Sequence, residues 1–222
     1  MDRTETYEER TTSLEFAAGG SLGELIGGAG AVALTIIGLA GVFPVYMLTI
    51  ATIACGAALL IEGGALSARF SRLLSELGAH GSYRSVEVGG GITAEFLGGV
   101  AAIVLGILGL LGINGLTLVP IAAVVLGTAL LVSSGTTSRF TALALSQSKE
   151  HETFKKVATE AVYAAAGGQV LLGLGAIVLG ILSLMGIQIL TLSLVALLAV
   201  GTSTMLTGAA VGSRMLGALE LR

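Results

Sequence analysis

The chain alternates long apolar runs with short polar ones. No charged residue occurs from Phe96 to Ser138, about 43 positions, or from Leu25 to Ile61, about 37 positions. Two helices of roughly 20 residues and a tight turn fill such a run, and each helix reaches across a hydrocarbon core of about 30 Å. The runs are too long for strands and lack a period of two, which argues against β-hairpins. Each run breaks where turn-forming residues gather: Gly41-Val42-Phe43-Pro44, Gly112-Ile113-Asn114-Gly115 and Gly186-Ile187-Gln188. Glycine and asparagine favour turns, and a proline suits the first turn of a helix, where its missing N–H has no partner to lose. The pattern predicts helices over about 25–42, 45–66, 96–113, 116–136, 166–186 and 189–210.

The same pattern occurs three times. Leu97 to Ile113 matches Ile26 to Val42 and Leu172 to Ile187. Gly41, Gly112 and Gly186 align at offsets of about 71 and 74, as do Gly56, Gly127 and Gly201 in the second half of each unit. Each unit closes on a small residue and an arginine: Ala68-Arg69, Ser138-Arg139 and Ser213-Arg214. After a polar tail at 1–12, the units run near 13–84, 85–158 and 159–222. Such self-similarity marks repeat architectures. The expected fold is an all-α membrane protein whose six transmembrane helices form three repeated helical hairpins about a pseudo-threefold axis.

Composition supports the bilayer. The 222 residues are 54% hydrophobic and 11% charged, with a mean hydropathy of +0.96. Soluble domains carry about 25% charged residues. Glycine is abundant, at 34 residues, and small residues let membrane helices approach closely. Gly98, Ala102 and Gly106 form a small-residue stripe at i, i+4, i+8, and Ala176 and Gly180 continue it in the third unit. This stripe is expected to be a helix-packing face. A net charge of −3 gives no reason to expect nucleic acid as a partner.

Charge placement predicts topology. All 11 Lys and Arg residues lie in the N-terminal tail, in the two linkers or near the C-terminus, and none lies in the three turns. The positive-inside rule places that side, with both termini, in the cytoplasm. The start, MDRTETYEER, is polar and acidic, unlike the basic-then-apolar start of a secretory signal. Linker two, Arg139 to Glu160, carries Phe140, Leu143, Phe154 and Val157 and suits a polar linker helix, either lying along the interface or standing as a solvated connector. The turn sequences are themselves apolar, so shallow hairpins entering from one face compete with full crossing.

Candidate chemistry is sparse. The repeat aligns Glu24, Glu95 and Gln169. Around a threefold axis they would form a polar ring at the cytoplasmic mouth, as in cation channels. Alternatively each begins a helix, where the dipole favours a carboxylate. Glu62 aligns with small polar residues near Ser133 and Thr207, and is expected to snorkel to the interface, with an ion site as the alternative. His80 and His151 lie in polar linkers with no metal-ligand spacing. Cys55 lies in an apolar run and reads as a small buried residue. No arrangement suggests a nucleophile, a phosphate loop or a cofactor, so catalytic, cofactor and metal residues are all expected to be absent.

Glycine-rich hairpins of this length resemble the rotor-ring subunits of ATP synthases, but no unit has the mid-membrane carboxylate those require in their second helix. Mitochondrial carriers also contain three two-helix repeats, but theirs are longer and marked by a proline-acid-basic motif absent here. Neither family is assigned. The expected role is that of a structural or scaffolding membrane protein, not an enzyme. Its partners would be the lipid bilayer, copies of itself, or a membrane or peripheral protein. A small channel or transporter and an accessory subunit holding lipid or quinone are the alternatives.

Overall fold

The computed structural model describes the backbone of residues 22–77, 82–147 and 152–220, and the side chains of 22–64, 93–135 and 167–209. The described residues form six long helices: α1, described over Leu22–Leu39, α2 (Pro44–Leu77), α3 (Ser82–Leu110), α4 (Gly115–Gln147), α5 (Glu152–Leu184) and α6 (Ile189–Glu220). Each contains an apolar stretch of 18 or 21 residues, about 27–32 Å at 1.5 Å per residue. All six are long and apolar enough to cross a membrane, which makes the chain an all-helical, multi-pass membrane protein.

Five of the helices continue well past the apolar stretch. α2 has 34 residues and α4 has 33, roughly 50 Å each, against about 30 Å of hydrocarbon. The polar stretch 139–160 is divided between the end of α4 and the start of α5. The expected amphipathic face of Phe140, Leu143, Phe154 and Val157 lies outside the described side chains, and the tail 1–12, the first unit upstream of Leu22, His80 and His151 also lie outside the described residues.

The turns follow from their sequence. Gly41, Gly112 and Gly186 have φ of 87°, 82° and 87°, a region that glycine enters without penalty. Each terminates its helix with a paired motif. Gly41 N–H donates to Gly38 O at 3.0 Å, and Val42 N–H reaches back to Ile37 O at 3.3 Å. Gly112 with Ile113, and Gly186 with Ile187, repeat both bonds. These satisfy carbonyls that a helix end otherwise leaves open. Two residues on, Phe43, Asn114 and Gln188 also have positive φ, at 41°, 48° and 40°. Their carbonyls accept the first bond of the next helix, from Met47, Leu118 and Leu192.

α2, α4 and α6 touch one another pairwise, while α3 packs on α2 and α4, and α5 packs on α4 and α6. α1 lies against α2 through Gly27 and Ala58, and against α6 through Gly28 and Gly201. The core where α2, α4 and α6 meet is apolar: Leu48, Cys55 and Leu59 meet Val119, Leu126 and Leu130, and Leu194, Leu197 and Val200. Outward faces of α1, α3 and α5 expose Ile26, Leu97 and Leu171 among other large aliphatic side chains, as lipid contact requires. Lipid is as apolar as leucine, so helix association here depends on close packing rather than on removal of water. Glycine provides it. A Cβ on Gly99 would lie 2.6 Å from Gly56 O, one on Gly173 would lie 2.9 Å from Gly127 O, and one on Gly28 would lie 2.9 Å from Gly201 O.

Candidate functional site

The described side chains include only three charged ones, Glu24, Glu62 and Glu95, and no Lys, Arg or His. All three are buried, and helix packing brings them to one end of the bundle. Gly23 and Gly27 of α1 face Ile61 and Ala58 of α2, while Gly28 faces Thr204 and Met205 of α6. Glu24 lies one turn before Gly28, in the seam between α2 and α6. Gly99 of α3 packs against Gly56 and Leu60 of α2. Glu95, one turn before Gly99, therefore reaches the level of Glu62.

Glu95 and Glu24 both stand close enough to Glu62 to act on it electrostatically. Glu62 Oε2 has no hydrogen-bond partner. Glu95 is 0% exposed, and neither of its carboxyl oxygens has a partner in hydrogen-bonding geometry. Ser133 of α4 stands beside the Glu95 carboxyl, with its own hydroxyl donated to Leu130 O at 3.2 Å. Buried charge without a counter-charge costs several kcal/mol or more. Among the described residues, no group of three His, Cys, Asp or Glu side chains is arranged to hold a metal ion.

These positions change two expectations. Glu62 is 5% exposed and does not snorkel. Its carboxyl turns inward to Glu24, and α2 continues 15 residues past it, to Leu77. Glu95 and Gln169 do not begin helices either. α3 starts at Ser82 and α5 at Glu152, so both residues lie several turns inside and draw little on the helix dipole, which acts within the first turn. Gln169 is also buried, and its Nε2 has no hydrogen-bond partner.

The small-residue stripe on α3 faces two neighbours. A Cβ on Gly98 would meet Ala129 of α4 at 2.7 Å, and one on Gly106 would meet Ile53 of α2 at 2.6 Å. Ala102 is fully buried between them. On α5, Gly180 approaches Val124 and Pro120 O of α4, and Ala176 is buried one turn away. Gly56, Gly99, Gly127 and Gly173, which make the closest backbone approaches on this side of the bundle, have no place in the stripe; only the aligned register of Gly56 and Gly127 hinted at them.

Other polar groups inside the bundle are satisfied locally. Thr35 donates to Ala31 O at 2.9 Å, Thr49 to Tyr46 O at 2.9 Å and Thr52 to Leu48 O at 2.8 Å. Cys55 is buried, with its S–H directed at Leu197 O across to α6 at 3.8 Å. Near the turns, Ser183 and Ser193 share a 2.8 Å hydrogen bond between α5 and α6. On the lipid side, Ala94, Gly98, Ala101, Val124 and Thr128 line a shallow apolar groove of about 370 Å³ between α3 and α4. No protein-family model matches the chain, and neither a curated protein nor a solved structure matches it.

Proposed function

We propose that this chain is an integral membrane structural or scaffolding protein, not an enzyme, which self-associates or anchors a partner complex through glycine-rich helix packing. In this reading its six helices are three hairpins around a pseudo-threefold axis, with α2, α4 and α6 inside and α1, α3 and α5 outside. The repeat offsets of about 71 and 74 residues support it. They carry Leu48 to Val119 and Ser193, and Cys55 to Leu126 and Val200, all buried. They also carry the Gly56–Gly99 contact to Gly127–Gly173, with Gly201–Gly28 as the pairing between the last and first units. The termini and all basic residues lie on the cytoplasmic side.

The observation that carries the reading is the apolar packing where α2, α4 and α6 meet. Leu59, Leu126, Leu130, Leu197 and Val200 fill that junction, and the buried threonines of α1 and α2 spend their hydroxyls on their own helices. A conducting path needs polar groups or water along its length. Purified protein in lipid vesicles is therefore expected to show no solute flux above protein-free vesicles, and crosslinking in native membranes is expected to trap an oligomer or a partner. Recovery only as an isolated monomer counts against scaffolding.

A transporter is the second reading, favoured by the buried carboxyls of Glu24, Glu62 and Glu95. Selective flux that disappears on Glu95→Ala would establish it and overturn the first. An accessory role holding lipid or quinone draws only on the groove between α3 and α4.

A further inference from the structure

We propose that Phe43 and Tyr46 form an aromatic anchor that seats the first turn in the headgroup layer of the leaflet facing away from the basic linkers. The partner is the lipid surface itself.

Alignment of the three turns shows what sets the first apart. The sequence offsets of about 71 and 74 residues carry Phe43 to Asn114 and Gln188, and Tyr46 to Thr117 and Thr191. All six side chains are exposed. The second and third turns thus present an amide and a hydroxyl, and in the second these meet, Thr117 Oγ1 donating to Asn114 Oδ1 at 3.3 Å. At the same two places the first turn presents two aromatic rings.

Phe43 occupies a backbone position that suits it poorly. Its φ is 41°, beside 48° at Asn114 and 40° at Gln188. The left-handed region crowds Cβ against the backbone, a cost that asparagine offsets with local hydrogen bonds and phenylalanine does not. Phe43 is 69% exposed and Tyr46 is 57% exposed, so the protein core holds neither ring. The two rings meet each other edge to face, with centroids 6.5 Å apart, as aromatic pairs prefer. A pair that is disfavoured by its backbone and left uncovered by its own chain finds its stabilisation outside the chain.

Depth identifies the surroundings. Pro44–Gly64 is an apolar stretch of 21 residues, about 31 Å long against a hydrocarbon core of about 30 Å. Both aromatic residues stand at its turn end, where hydrocarbon gives way to headgroups. Tyrosine concentrates at that boundary because its ring is apolar and its hydroxyl is polar. Residues 40–47 carry no charge, so the contact uses no ion pair and does not select anionic lipids. Two aromatic side chains bury at most about 500 Å², short of the roughly 800 Å² per partner of a stable protein interface.

The chain contains no tryptophan, so Phe43→Trp and Tyr46→Trp each supply a single fluorescent reporter of depth. In phosphatidylcholine vesicles with iodide on both sides, both are expected to be shielded from iodide. Both are also expected to be quenched several-fold more by lipids brominated near the headgroup end of the acyl chain than by lipids brominated near its methyl end. Strongest quenching by iodide would put the rings in water, and strongest quenching near the methyl end would put the turn at mid-bilayer. Protection from all three quenchers would mean that a protein surface, such as a second copy, covers the rings. Each of these results overturns the proposal. A second measurement adds no aromatic residue to the turn. Val42 and Ile113 are aligned and exposed, and the native Cys55 is buried. With a charged maleimide on both sides, Val42→Cys is expected to react several-fold more slowly than Ile113→Cys. Adding Phe43→Asn and Tyr46→Thr, the residues of the second turn, is expected to abolish that difference. Equal rates with the native aromatic pair in place overturn the proposal. None of these outcomes depends on whether the chain acts as a scaffold.

Discussion

At the scale of single residues, space rather than chemistry distinguishes the glycines. Gly99 and Gly175 both lie within apolar helices and look alike in the sequence. An added Cβ on Gly99 would lie 2.6 Å from Gly56 O, a backbone atom fixed in the facing helix, whereas one on Gly175 would meet nothing within 4 Å. Gly99→Ala is therefore expected to destabilise the fold by about 1–3 kcal/mol, the usual cost of overpacking. Gly175→Ala is expected to stabilise it by roughly 0.5–1 kcal/mol, the usual penalty of an interior helical glycine removed. Reversible unfolding in mixed micelles measures both. Equal effects of the same sign would remove the argument that glycine is placed for backbone approach. The carboxyls show the other limit of residue-level reading. The repeat register singled out Glu24, Glu95 and Gln169, but the carboxyl that Glu24 and Glu95 both stand near is Glu62, which aligns with serine and threonine instead. Equivalence between units cannot reveal a contact that only one unit makes. Absence of any other charge in the spans was the available signal, since an unpaired membrane carboxylate must find either a partner or a proton.

At the scale of elements, the turns were legible because their requirement is local. A positive φ at the end of a helix needs glycine, and Gly41, Gly112 and Gly186 supply it. Gly112→Ala would place a Cβ in a left-handed conformation that costs about 1–2 kcal/mol. An unfolding midpoint lowered accordingly, with helix content by circular dichroism unchanged, is the expected result; no shift would mean that the turn relaxes freely. The far ends of the helices were not legible. Apolar periodicity marks where a helix meets lipid, and the expected boundaries near 66 and 136 follow the loss of apolar residues. α2 and α4 instead continue to Leu77 and Gln147. Nothing in Ala65–Leu77 breaks a helix, as it contains neither glycine nor proline. Conversely, Pro120 sits inside α4 without ending it. It lies in the first turns, where Leu116 O is the only carbonyl deprived of its usual i+4 donor.

At the scale of the whole molecule, length and surface together decide whether the turns reach water. The turn residues Phe43, Leu111 and Met185 are apolar and 69%, 71% and 71% exposed, as expected of side chains resting in lipid. Length argues for crossing nonetheless. Pro44–Gly64, Gly115–Gly135 and Ile189–Ala209 are each 21 residues, about 31 Å, which matches the full hydrocarbon thickness. Stopping the turns midway would leave about half of each apolar stretch in water on the linker side, at about 1.5–3 kcal/mol for each large aliphatic side chain so exposed. Burying a few exposed aliphatic side chains at the far interface is the smaller demand. Met185→Cys provides the test, because the native Cys55 is buried and will not compete for reagent. A charged, membrane-impermeant maleimide should modify Met185→Cys in sealed vesicles only from the side opposite the basic linkers, and a cysteine at Lys149 only from the linker side. Modification of both from one side would place the turns on the linker face. No modification of Met185→Cys from either side, with full reaction in detergent, would show hairpins that enter the bilayer without crossing it.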